Sequence, residues 1–143
     1  MPIHYVSGDL FTSSAQVLVN PVNCEGVMGR GLAVEFKCRW PSMFVVYQEA
    51  CRTGACAIGR PWVCWSTFPI IVCFPTKDSW RSPSQLSYID AGLERLVEYI
   101  PRFIHSLAFP KLGTGNGGLS WEEVQPVMER YLSGLRQEVF IYV

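Results

Sequence analysis

Two glycine-rich segments and one lysine carry the sequence features best suited to chemistry. The late segment is Pro110-Lys111-Leu112-Gly113-Thr114-Gly115-Asn116-Gly117-Gly118-Leu119, with four glycines in six residues. Glycines at that density let a backbone turn successive amide hydrogens toward one point, and such a nest ahead of a helix binds phosphate. The early segment runs from Asn20 to Ala33 and includes Gly26, Gly29 and Gly31. It is a second phosphate cradle, and two cradles facing one cleft suit a diphosphate. Asn20 and Asn23 can donate to and accept from ribose hydroxyls. Lys77 follows the apolar run Pro69–Phe74. Its ordinary pKa, about 10.4, makes it a poor nucleophile at neutral pH; desolvation would lower that value and free the amine for attack, and the charged ammonium could alternatively donate a proton to a leaving group.

Gly113, Gly115 and Gly118 also spell GxGxxG, with Glu138 twenty residues beyond. Alone, that pattern points to a nicotinamide dinucleotide. Such a unit normally opens its domain, whereas here one strand follows it, and it leaves the early loop without a role. The GxxxxGK[ST] phosphate loop of nucleotide triphosphatases is absent from the sequence.

The elements that must position these loops alternate. Strands are expected at Ile3–Val6, Ala15–Val19 (stopped by Asn20-Pro21), Trp62–Trp65, Pro69–Phe74, Ser106–Phe109 and Val139–Val143. Helices are expected over Gly31–Trp40, Ser42–Arg52, a long segment opened by Ser82-Pro83-Ser84 with Leu86, Ile89, Leu93, Leu96, Val97 and Ile100 in register, and Trp121–Leu132 capped by Ser120. Most strands are continuously apolar, which predicts an α/β fold, a mixed or largely parallel sheet covered by helices on both faces. Ligands of such sheets bind beyond the strand carboxyl ends, so both loops and Lys77 should converge on one rim.

A length of 143 residues fits a single domain over 1–143, large enough to fold without metal or disulfides. The twelve basic and twelve acidic residues balance, which argues against binding duplex DNA chiefly by phosphate neutralisation. Arg30, Lys37, Arg39, Arg52, Arg60, Lys77 and Arg81 nevertheless give the stretch from 30 to 81 a local basic excess, a rim for an anionic ligand or a single strand. The six cysteines show neither CxxC nor zinc spacing, and Cys64 and Cys73 sit in apolar runs. Reduced thiols, no signal peptide and no membrane-length apolar run lead to a cytoplasmic expectation, with no membrane partner and no metal.

Several motifs together resemble the macrodomain family: Gly8-Asp9-Leu10-Phe11, Val19-Asn20-x-x-Asn23 with Gly26 to Gly31, Phe74-Pro75-Thr76-Lys77, and Gly113 to Leu119 with Trp121. The resemblance implies a three-layer α/β/α fold binding ADP-ribose, with no cofactor. Within the family, Phe-Pro-Thr-Lys, Gly-Arg-Gly-Leu-Ala and Gly-Asn-Gly-Gly-Leu-x-Trp resemble the lysine-dependent branch, which includes the DarG antitoxins that strip ADP-ribose from thymidine in DNA. Related protein-deacylating hydrolases carry a helpful aspartate in the late loop; Asn116 stands at the equivalent place here, which favours the DNA-type activity.

By resemblance, Asp9 accepts from the adenine amino group, with Leu10 beside it. The amides of Gly29, Arg30 and Gly31, and those of Thr114, Gly115, Asn116, Gly117 and Gly118, hold the diphosphate, with Leu32 and Gly113 also in the binding set. Asn20 and Thr76 join the binding set. Asn23 lies near the distal ribose and Lys77 at its anomeric carbon, and these two form the catalytic pair. Trp80, Arg81 and Tyr88 are candidates to steer an attached nucleotide. The implied activity is an ADP-ribosylglycohydrolase, an N-glycosidic hydrolase. Its implied partners are ADP-ribosylated single-stranded DNA and a cognate DNA ADP-ribosyltransferase toxin, and a monomer is expected. The alternatives are a non-catalytic ADP-ribose reader and a hydrolase of modified protein carboxylates.

Overall fold

The computed structural model describes residues 3–143. Six strands form one sheet in the order β1-β6-β5-β2-β4-β3. They are β1 (Ile3–Val6), β2 (Val17–Val22), β3 (Trp62–Cys64), β4 (Ile70–Pro75), β5 (Ser106–Phe109) and β6 (Glu138–Tyr142). All neighbouring pairs are parallel except β3 with β4, which puts a short antiparallel strand at one edge. The helices are α1 (Gly31–Arg39), α2 (Pro41–Thr53), α3 (Leu86–Tyr99) and α4 (Trp121–Leu132).

The continuous apolar strands are buried on both sides because side chains alternate between two helical layers. Val17, Val19, Val72 and Phe74 pack with Ile89, Leu93, Val124 and Met128, the inner faces of α3 and α4. Leu18, Val22, Ile71 and Cys73 pack with Phe36, Met43 and Tyr47 from α1 and α2. The three-layer expectation from the sequence therefore holds. α3 lies unusually close to β4: a Cβ on Gly92 would stand 2.4 Å from Phe74 Cζ.

Several boundaries shift by a residue or two from the sequence expectation, and two of the differences have a clear structural reason. β2 does not stop at Asn20-Pro21 but runs through both to Val22, with Pro21 opposite Phe74. Val22 offers its carbonyl to Thr76 N at 2.9 Å on the β4 side. By alternation, the nitrogen of Pro21 faces the β5 side, where pairing with β2 is confined to Val17 and Leu18. No ladder hydrogen bond is asked of the proline, so the strand tolerates it. Likewise α3 begins at Leu86 behind Gln85, and Ser82-Pro83-Ser84 does not cap it. Ser84 is instead buried beneath the late loop and donates its N–H to Gly117 O at 2.9 Å.

The order of crossovers creates an opening. β2 leads through α1 and α2, on one face, and then the edge strand β3 to β4 on one side of it. β4 leads through α3, on the opposite face, to β5 on the other side. Chain connections diverge at the carboxyl ends of β2 and β5, and a crevice forms there.

Candidate functional site

A cleft of about 660 Å³ occupies that crevice. It is lined by the ends of the parallel strands and the loops leaving them: Pro21 and Val22 from β2, Thr76 and Lys77 after β4, Pro110 and Lys111 after β5, and Tyr142 from β6. The early loop contributes Asn23, Val27, Gly29, Arg30, Gly31, Leu32 and Ala33, and the late loop Gly113, Thr114, Gly115, Asn116 and Gly117. The two cradles inferred from the sequence thus face one space. They also touch, since a Cβ on Gly31 would stand 3.1 Å from Asn116 Nδ2.

Each loop ends in free donors. Gly31, at φ +58°, starts α1, and Arg30 before it supplies no side-chain cap. The first amides of α1 therefore face the cleft with the positive end of the helix dipole. In the late loop, Thr114 N donates to Lys111 O (3.3 Å), Gly118 N to Gly115 O (3.4 Å) and Leu119 N to Gly113 O (3.1 Å). Gly113 and Gly118 shape this turn through positive φ. Among the described residues, the amides of Gly115, Asn116 and Gly117 donate to nothing within the protein. The donors left for an anion are thus narrower than the expected span of the loop. Gly117 has no room for a side chain, because a Cβ there would stand 2.3 Å from both Gly113 O and Ser84 Oγ.

Some expected site residues are not among those that line this cleft. Asn20 is fully buried and does not line the cleft. It shares the α1–α2 face with Leu18 and Val22, and its Nδ2 lies 3.8 Å from Met28 Sδ, bracing the early loop from below. Asp9 caps the 3-10 turn Leu10–Thr12 by accepting from Phe11 N at 3.0 Å. Leu10 is buried, and neither of these two, nor Gly118, lines the cleft. Asn23 does line it, but its side chain is largely engaged by its own loop. Its Oδ1 accepts from Glu25 N (2.9 Å), Val27 N (3.4 Å) and the Tyr47 hydroxyl (3.1 Å), and its Nδ2 donates to Val27 O (2.8 Å). One N–H remains to it.

Lys77 is half-buried at the cleft edge and makes no ion pair among the described residues. Burial, and then the positive charge of Arg30, hold its pKa below the ordinary lysine value. Its segment is fastened to the early loop: Cys24 N donates to Asp78 O at 3.1 Å, and Cys24 Sγ to Lys77 O at 3.5 Å. No aspartate or glutamate lines the cleft among the described residues. Of the basic excess seen in the sequence, Arg30 and Lys77 reach the cleft, whereas Lys37 and Arg39 cover Phe44 and Phe11 and Arg52 pairs with Glu49. Tyr88 does not line the cleft, but Trp80 does. Tyr142 was not singled out from the sequence. Its signal lies in topology, since β6 runs parallel beside β5 and so ends on the same rim.

The arrangement can hold an elongated anionic ligand. Tyr142 and Lys77 follow strands three positions apart in the sheet, about 14 Å at the usual interstrand spacing. The free amides and Arg30 lie between them.

Comparisons with known proteins agree with this fold. The chain is 48% identical over 141 residues to the DNA ADP-ribosyl glycohydrolase of Mycobacterium tuberculosis, covering 94% of this chain and 39% of that protein. The chain spans about two-fifths of the length of the curated glycohydrolases it matches. The structure of the macrodomain of Mycobacterium tuberculosis DarG superimposes with a TM-score of 0.89 at 45% identity, over 98% of this chain and 96% of that one. Thermosipho africanus DarTG, solved in complex with ADP-ribose, gives 0.92 at 39% identity, over 98% of this chain and 41% of that one. Residues 19–128 match the Macro domain family, and the chain belongs to it.

Proposed function

We propose that this macrodomain removes ADP-ribose from thymidine-linked sites in single-stranded DNA, as an ADP-ribosyl glycohydrolase cleaving an N-glycosidic bond. The observation that carries this reading is the placing of a half-buried lysine amine, with a depressed pKa, at the end of a cleft lined by two sets of free amides. The amides and Arg30 would grip the diphosphate. The distal ribose would then lie at Lys77.

A neutral amine there can attack the anomeric carbon. The new C–N bond forms as the bond to the base breaks, and the departing base takes the electron pair and a proton from solvent. Water then releases ADP-ribose and restores the amine. Asn23 keeps the loop around this centre in shape and has one N–H left for a ribose oxygen. The names of the most similar relatives support the same activity.

Hydrolysis of protein carboxylate esters is the second reading. The absence of a carboxylate from the cleft lining among the described residues weighs against it. Side-by-side incubation with a thymidine-modified oligonucleotide and a carboxylate-modified protein tests both. Release from the oligonucleotide is expected. Release from the protein alone overturns the DNA reading, and tight ADP-ribose binding with no release makes this a reader module. The natural partner would be a DNA ADP-ribosyltransferase toxin that makes the modification, with the reaction in the cytoplasm, where the six free cysteines would stay reduced.

A further inference from the structure

Trp80 is out of place for a large apolar side chain. It lies at the mouth of the cleft with 39% of its surface exposed, three residues beyond Lys77. It is not a loosely hung residue. Its backbone N–H donates to Glu25 Oε1 at 3.0 Å, which ties it to the early loop. The turn that follows is closed by Ser82 N to Ser79 O (3.0 Å) and Arg81 N to Ser79 Oγ (3.2 Å). Two residues earlier, Asp78 O holds Cys24 N. The indole is therefore presented from a backbone pinned on both sides. The Arg81 guanidinium lies 4.8 Å from its ring centroid, and no other aromatic ring packs against it among the described residues.

The position along the cleft decides what would meet this ring. Tyr142 marks one end and Lys77 the other. If the bond to be broken lies at Lys77, then Trp80, three residues on and lining the same cleft, is the exposed aromatic ring beside whatever is attached to the sugar. A single strand offers there an unpaired base with a free π-face and a phosphate one backbone unit away. Stacking on an aromatic ring together with an adjacent arginine is the usual means of holding such a strand. Arg30, Lys77 and Lys111 on the cleft wall, with Arg81 beside the ring, outnumber the nearby acids Glu25 and Asp78, and Glu25 is occupied by the turn.

We infer that Trp80, backed by Arg81, is a stacking platform for the unpaired base next to the modified nucleotide of single-stranded DNA. This rests on the glycohydrolase reading. The platform gives the enzyme its preference for a strand over an isolated modified nucleoside, and it acts on KM rather than on the bond-breaking step.

The test compares two substrates, a thymidine-modified oligonucleotide and ADP-ribosyl-thymidine alone. Trp80→Ala should raise KM for the oligonucleotide about 5- to 100-fold more than KM for the nucleoside, with kcat on the oligonucleotide little changed. Trp80→Phe should recover most of the loss. Equal effects on both substrates, or none, overturn the platform. If the wild-type protein hydrolyses neither substrate, the glycohydrolase reading fails separately, and the platform is then judged by binding. A short unmodified single strand should quench indole fluorescence of the wild type, and Trp80→Phe should abolish that quenching. The same quenching in both proteins overturns the inference.

Discussion

Replacing Gly117 by alanine is the sharpest test of how the late loop holds an anion. The new Cβ would stand 2.3 Å from Gly113 O and from Ser84 Oγ, about 1 Å short of the 3.4 Å where ordinary contact begins. Ser84 could turn its hydroxyl away, because that oxygen has no partner among the described residues. The Gly113 carbonyl cannot, because it accepts from Leu119 N and closes the turn. The loop must therefore shift by about 1 Å, which carries a 2.9 Å hydrogen bond beyond useful length. The amides of Gly115, Asn116 and Gly117 would lose their common aim. A hydrogen bond to a charged acceptor contributes about 1.5–3 kcal/mol. Loss of two at the lower figure totals about 3 kcal/mol, or roughly a hundredfold weaker binding. Calorimetric titration with ADP-ribose measures it, and Gly134→Ala, where a Cβ meets open space, serves as the control. Adding Ser84→Ala to Gly117→Ala should not restore affinity. A Gly117→Ala protein that melts normally and binds within about threefold of wild type would refute this account of the loop.

Four further outcomes follow from the structure. With Lys77 as nucleophile, kcat should rise with pH and level off above a pKa that lies below the usual 10.5, because only the neutral amine attacks; a rate that instead falls through that pKa would assign the lysine to proton donation. The same depressed value means that the unfolded chain binds this proton more tightly, so stability should increase as pH rises from the folded value toward 10.5, which urea titrations across that range would detect. Gly92→Ala should destabilise the fold by about 1–3 kcal/mol in urea unfolding, because the added methyl strikes the Phe74 ring against which α3 packs. The neighbouring Cys56 thiol lowers the Cys51 pKa to about 7 against the opposing effect of burial, so this half-buried thiol should be alkylated ahead of Cys24, whose burial and Asp78 neighbour raise its pKa to about 11; equal alkylation of the two at neutral pH would contradict this.

Much of the fold was legible because its signals are local. Continuous apolar runs gave the strands, and Ser120 marked the start of α4, where the structure shows a reciprocal capping box with Glu123. The convergence of both loops and Lys77 followed from the rule that such sheets bind beyond their strand ends. What escaped depends on partners far away in sequence. Pro21 reads as a stop until it is known that β5 leaves β2 after Leu18. Ser84 reads as a cap until Gly117 is seen folded over it. Asn20 and Asn23 look alike in sequence. Strand alternation buries the first, and the early loop's own backbone, with the Tyr47 hydroxyl from twenty-four residues downstream, engages most of the second. Asp9 uses one carboxylate oxygen, Oδ1, to cap the turn it begins, a local role that spacing alone does not separate from ligand binding.

The central claim is that the two amide-lined loops bind while the Lys77 amine performs the chemistry. Single-turnover release of ADP-ribose from a thymidine-modified oligonucleotide, measured for wild type and Lys77→Ala beside the ADP-ribose affinity of each, tests it most directly. The account predicts that the variant loses release by at least about a hundredfold while its affinity stays within a few-fold. A variant that releases ADP-ribose at the wild-type rate would contradict it.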